Sequence, residues 1–217
     1  MSLTSVCYSP QESSVRMKDL VLLVADKNAQ FALKGALERP EALGITPIEF
    51  EFRVHPGRDG GVRKFGVDML VLERHRFKHA LLVMDYEGSG SALSGARALE
   101  DVLNEKLRAC WNNAARAIVI EPELDAWVWG SDNSIKSAID WSKDIGIRDW
   151  LRNQGFHFEL NDKPSRPKEA FEAVLKTSGS PRSSALYQHI ASKISLQKCT
   201  DEAFGILRGQ LREWFSV

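Results

Sequence analysis

The chain is short of cysteine, has no long apolar run and carries no excess charge of either sign, and each shortage removes a class of protein. The three cysteines, Cys7, Cys110 and Cys199, are odd in number, far apart and outside any C-x-x-C pair. That argues against a disulfide framework or a zinc knuckle and fits a reducing compartment. Cys110 closes one amphipathic segment and Cys199 precedes another, so both read as buried structural thiols. The longest strictly apolar run, Leu20 to Ala25, has six residues, against the ~20 that a membrane helix needs. The start, Met1-Ser2-Leu3, has no charged segment leading into a long apolar stretch; the expectation is a cytoplasmic chain with no membrane partner. Lysine plus arginine total 29 and aspartate plus glutamate total 29, so any attraction to nucleic acid must be local. No P-loop, nucleophile-elbow or zincin pattern occurs, which removes the corresponding ATPase, hydrolase and protease readings.

What remains is a chain of 217 residues, 43% hydrophobic, the size of one globular domain or a domain with an extension. Residues 1–18 are polar and serine-rich and read as a flexible segment. Leu20 to Ala25 and Ala80 to Met84 are uninterrupted apolar strands, as a parallel sheet covered on both faces requires. Between them Ile48, Phe50, Phe52 and Val54 alternate with charged residues, the period of a strand near a sheet edge. Ala117 to Ile120 forms the fourth strand. Helices are expected over 28–39, from Val67 to Glu73 and around Leu99, Val102, Leu103 and Leu107, whose polar faces carry Glu100, Asp101, Glu105 and Arg108. The alternation of strand and helix predicts an α/β fold with a parallel sheet over 19–130 and all strand C-termini along one edge, where open α/β sheets bind ligands. Beyond Gly130 the pattern turns helical, so 131–217 reads as a C-terminal helical extension packed on that core.

Three of these strands run into carboxylates: Asp26, then Asp85 with Glu87, then Glu121, Glu123 and Asp125. Acids gathered at adjacent strand ends repel one another, and unpaired buried charge is costly, so a hard cation such as Mg2+ or Mn2+ is the natural counter-charge. Asp85 and Glu87 form the strongest pair of metal ligands, with Asp125 as a further ligand and Asp26 and Glu123 completing the cluster. Each acid alone also has a plainer role: Asp26, Glu121 and Glu123 are placed to cap helix N-termini, with Pro122 suiting a first helical turn.

The segment His55-Pro56-Gly57-Arg58-Asp59-Gly60-Gly61 reads as a glycine-rich loop free to approach a ligand, with His55 as an acid/base group and Arg58 as a phosphate contact, or as a plain turn. Gly88-Ser89-Gly90 is compatible with a phosphate loop or an ordinary turn. His75 and His79 are four apart, but His79 falls at a strand start, so they are not taken as ligands. From residue 163 onward nine Lys/Arg face five Asp/Glu, whereas 19–130 holds fourteen against seventeen. Lys163, Arg166, Lys168 and Arg182 could therefore hold phosphate of DNA or RNA, or simply form a solvated face. Of the six tryptophans, Trp127, Trp150 and Trp214 stand where core packing explains them.

With these residues in view the chain resembles the Toprim domain of topoisomerases, primases and overcoming-lysogenization-defect nucleases: Val24-Ala25-Asp26 after the first strand, then Val83-Met84-Asp85-Tyr86-Glu87-Gly88. It is more closely similar to a family of bacterial Toprim-like proteins encoded in anti-phage, methylation-associated defence islands beside ATPase genes. That likeness extends through Pro122-Glu123-Leu124-Asp125-Ala126-Trp127, Lys163-Pro164 to Glu169, and the region from Leu186-Tyr187 to Phe204. The resemblance implies a Toprim-like sheet, a Mg2+ pair at Asp85 and Glu87, and acid/base work by an acid after the first strand. It also implies a nuclease-like role with an ATPase or another defence subunit as partner. In an ungapped match the family's first glutamate falls on Ala25, with Asp26 one residue later, so that Glu123 or Asp125 could take over its acid/base work. That departure carries the alternative, a non-catalytic adaptor binding a partner protein.

Overall fold

The two uninterrupted apolar strands form the centre of a four-stranded, all-parallel sheet of order β2-β1-β3-β4. The computed structural model describes residues 16–197 and 199–216; Cys7 and most of the expected flexible segment lie outside them. In chain order the elements are β1 (Lys18–Val24), α1 (Lys27–Leu37), α2 (Pro40–Leu43), β2 (Phe50–Val54), α3 (Arg58–Val71), β3 (Phe77–Asp85), α4 (Gly95–Trp111), β4 (Ala115–Ile120), α5 (Asp125–Val128), α6 (Asp132–Ala138), α7 (Ile147–Asn153), α8 (Pro167–Ser178), α9 (Ser184–Lys193) and α10 (Glu202–Phe215). Among them no helix is long and apolar enough to cross a membrane.

Strand pleating sorts β1 between two cores. Leu20, Leu22 and Val24 face one side and pack with α1 and the helices after residue 124, whereas Val21 and Leu23 face α3 and α4 on the other. Helices thus cover both faces, which explains why the central strands read as unbroken apolar runs. The helices after Gly130 add to the first core rather than forming one of their own. Helix α9 lies along α1, and Arg39 Nη1 donates to the carbonyls of Ala191 and Ile194, both at 2.8 Å.

Several local expectations change. The glycine-rich segment expected as a loop is largely the first turn of α3, which starts at Arg58 instead of Val67. Its glycines serve close packing: a Cβ on Gly61 would lie 2.3 Å from the His55 ring, and one on Gly66 would lie 2.9 Å from Leu82. Pro122 precedes helix α5 rather than opening it, and its carbonyl accepts the Glu87 N–H at 2.9 Å. Glu100, expected on a polar helix face, is only 2% exposed, because its carboxylate accepts the Val119 N–H and pairs with Arg116. Trp111 and Trp129 are the deeply buried tryptophans; Trp127, Trp150 and Trp214 only flank the core. Cys110 and Cys199 are partly, not fully, buried.

The contact of α1 with α9 yields a paired prediction. A Cβ on Gly35 would sit 2.6 Å from the Gln188 carbonyl oxygen, whereas one on Gly209 of α10 meets nothing within 4 Å. Gly35→Ala is expected to lower stability by about 1–3 kcal/mol through overpacking, and Gly209→Ala to raise it by about 0.5–1 kcal/mol. Urea unfolding midpoints of the two variants read both signs.

Candidate functional site: an acid-lined cavity at the strand ends

Register places the acids. Val24 pairs with Val83 across β1 and β3, so Asp26 and Asp85, each two residues further on, leave the sheet at one level. Asp85 in turn is level with Ile120 of β4, whose continuation carries Glu123 and Asp125. Asp26, Asp59, Asp85, Glu87, Glu123 and Asp125 line one cavity of about 200 Å3 together with Lys168 and Arg182. The expected convergence of the three strand ends is therefore present, with Asp59 added.

The cavity has two electrostatic halves. On one side each acid has a cation. Glu123 faces Lys168 at 3.3 Å, and Asp125 binds Arg182 at 2.9 Å while its other oxygen accepts the Tyr187 hydroxyl at 2.8 Å. Both oxygens of Asp125, expected as a metal ligand, are thus engaged, one by Arg182 and one by Tyr187. On the other side, among the described residues, Asp26, Asp59, Asp85 and Glu87 form no ion pair. Asp26 caps α1 by accepting the Ala29 N–H at 2.9 Å. Asp85 accepts the Leu124 N–H at 2.9 Å, and its own backbone N–H donates to Asp59 at 2.8 Å. The Gly88–Ser89 turn is held against α3 by Arg63, whose Nε donates to the Ser89 carbonyl at 2.8 Å; it acts as a turn.

Protonation equilibria follow from this crowding. Removal from water raises the Asp85 carboxyl well above the ordinary aspartate range, and the charge of Asp59 raises it further; the Leu124 N–H opposes them, with smaller upward contributions from Glu123 and Asp26. Burial also raises Asp59, against the Asp85 N–H. Glu123 is raised by burial and by Asp125, against Lys168. Asp125 is raised by burial, against Arg182. Burial alone would lower Lys168, but the Glu123 carboxylate outweighs it and the ammonium is raised.

The other expected site residues sit elsewhere. His55 and Arg58 line an adjoining cleft that shares only Asp26 and Asn28 with the acid cavity. The His55 ring is buried, with Nδ1 accepting the Gly57 N–H at 2.9 Å. Lys163 is buried in an ion pair with Asp201 at 2.9 Å, where Asp201 also accepts the Trp127 indole N–H and caps α10. Arg166 pairs with Glu169 on the surface. Of the five cations expected to hold phosphate, the fold brings Lys168 and Arg182 to the acids, leaves Arg58 in the adjoining cleft, and keeps Lys163 and Arg166 outside. Sequence reading gave Asp59 no place among the acids. Its signal was an acid in the first turn of the helix that follows a strand of the same parallel sheet.

Oxygen donors of this kind suit a hard divalent cation, which commonly takes one or two carboxylates and keeps several waters. Among the described residues no three His, Cys, Asp or Glu side chains are gathered tightly enough to enclose an ion unaided. The residues that could hold such an ion are Asp26, Asp59, Asp85 and Glu87, of which Asp59 and Asp85 are linked through the Asp85 N–H.

A raised acid in the folded state binds its proton more tightly than in the unfolded chain. Its contribution to stability is present below the ordinary aspartate value near ~4 and is lost as pH rises through the raised value. Asp85→Asn, which keeps an oxygen for the Leu124 N–H, is thus expected to raise the melting temperature at neutral pH. That gain should shrink to nothing towards pH ~4. Melts across pH of both proteins check the sign. Comparison of the chain with protein-family models, with curated proteins and with solved structures gives no match.

Proposed function

We propose that the chain is a divalent-metal-dependent phosphodiester-processing protein, nuclease-like in chemistry. The observation that carries this reading is the division of one cavity into an unpaired acidic half (Asp26, Asp59, Asp85, Glu87) and a cation-bearing half, Lys168 and Arg182. Mg2+ or Mn2+ bound at the acidic half would neutralise phosphate charge and lower the pKa of a bound water. Lys168 and Arg182 would orient the phosphate: Arg182 is fixed by Asp125 and Glu172, and Lys168 is held by Glu123 until substrate competes for it. Glu123, raised by burial and backed by Lys168, is suited to handling a proton. Asp26 retains one carboxylate oxygen beyond its cap. Resemblance to the Toprim-like defence family adds a setting, an anti-phage system with an ATPase or other subunit as partner.

A second reading is an adaptor without catalysis. It is favoured by Ala25, which places a buried methyl where the family carries a glutamate, and by the use of Asp26 as a helix cap.

Calorimetric titration with Mg2+ and Mn2+, followed by cleavage assays on plasmid DNA and on single-stranded DNA and RNA, separates the two. The nuclease-like reading expects metal binding and metal-dependent cleavage, both abolished in Asp85→Asn. Lys168→Ala, which removes a charge-assisted contact worth about 1.5–3 kcal/mol, should slow cleavage about tenfold to a hundredfold. Metal uptake with no cleavage of any substrate supports the adaptor. Binding and cleavage untouched by Asp85→Asn would reject the site.

A further inference from the structure

The two edges of the sheet are finished differently. On β4 the outward N–H groups of Ala117 and Val119 are taken by Asn104 at 2.8 Å and Glu100 at 3.2 Å, two buried side chains one turn apart on α4. Two of that edge's outward N–H groups are thus already taken by side chains of this chain. On β2 the bonds from Leu20 N–H to the Glu49 carbonyl and from His55 N–H to the Val24 carbonyl show that odd-numbered residues turn toward β1. The N–H and C=O groups of Phe50, Phe52 and Val54 therefore turn outward. Among the described residues, the one bond recorded to these outward groups is made by the guanidinium of Arg53, from the same strand, to the Phe52 carbonyl at 3.0 Å. Beside this edge Val54 is 38% and Phe65 57% exposed, with Phe65 stacked on the His55 that ends the strand. An open row of backbone donors and acceptors is a template for another strand.

We propose that this edge pairs with β2 of a second copy, antiparallel, about a two-fold axis through Phe52, so that two sheets become one. The strand is self-complementary about that residue. Phe52 meets Phe52 of the second copy and Phe50 meets Val54, and all three are hydrogen-bonding positions, so every outward group finds a partner. Between them Glu51 stands opposite Arg53 of the second copy, so no like charges oppose each other. A parallel or register-shifted pairing loses that match. The contact is one short strand, so the dimer is weak, with a dissociation constant on the order of micromolar or above. Because the strands run antiparallel, the two acid cavities open at opposite ends of the joined sheet, and the inference is independent of the metal site.

Sedimentation of the full chain from micromolar to near-millimolar concentration tests it, with two variants. Val54→Pro removes an outward N–H and none of the bonds to β1; it should weaken association about tenfold or more with an unchanged circular dichroism spectrum. In Phe52→Cys the paired Cα atoms would be ~5.5 Å apart, within disulfide reach. Mild oxidation should yield a covalent dimer absent from the wild-type chain and from Val102→Cys on α4. If Val54→Pro fails to fold, the cross-link decides. A wild-type chain monomeric throughout, or a dimer that survives Val54→Pro and gives no Phe52→Cys cross-link, overturns the proposal. So does association that appears only after residues 2–15 are deleted, which would assign the edge to the chain's own N-terminal segment.

Discussion

Like charges held together at the ends of parallel strands are the constraint on which this molecule turns. Asp85 is the last residue of a strand packed on both faces, so it cannot retreat without disturbing β3. Asp59 is tied to it through the Asp85 N–H, and the Leu124 N–H fixes one Asp85 oxygen. These neutral donors soften the repulsion but supply no counter-charge. The fold offsets the remaining cost through its two apolar cores.

The helices beyond the sheet set which cations reach the acids. Trp129 donates its indole N–H to the Pro167 carbonyl at 3.0 Å, anchoring the start of α8 and with it Lys168. Asp125 and Tyr187 position Arg182 ahead of α9. Asp201 gathers Trp127, Lys163 and the first turn of α10 in one knot. The same basic segment thus divides by role. Lys163 ties helices together in the interior, Arg166 stays on the surface, and Lys168 and Arg182 reach the cavity.

Much of this was legible from periodicity. The apolar runs at Leu20 and Ala80 and the alternation from Ile48 to Val54 report how many faces of a strand are buried, which is a local consequence of sheet position. So is the exit of the acids, because parallel strands place all their C-termini on one side. Other features depend on partners distant in the chain. Glu100 and Asn104 look like solvent-facing helix residues until β4 presents its edge N–H groups to them. The glycines of α3 look like a loop because the need for them lies in the His55 and Leu82 side chains they pack against. Asp59 could not be ranked above Glu87 as a neighbour of Asp85 without knowing where α3 begins, and Lys163 could not be told from Lys168 without Asp201.

The most direct test of the account is the titration of the Asp85 side-chain carboxyl followed by carbon-13 NMR, with and without Mg2+. The account predicts that Asp85 titrates well above the other aspartates in metal-free protein, and that Mg2+ draws its titration back down while shifting the Asp59 signal. An Asp85 that titrates in the ordinary aspartate range and is indifferent to Mg2+ would contradict it.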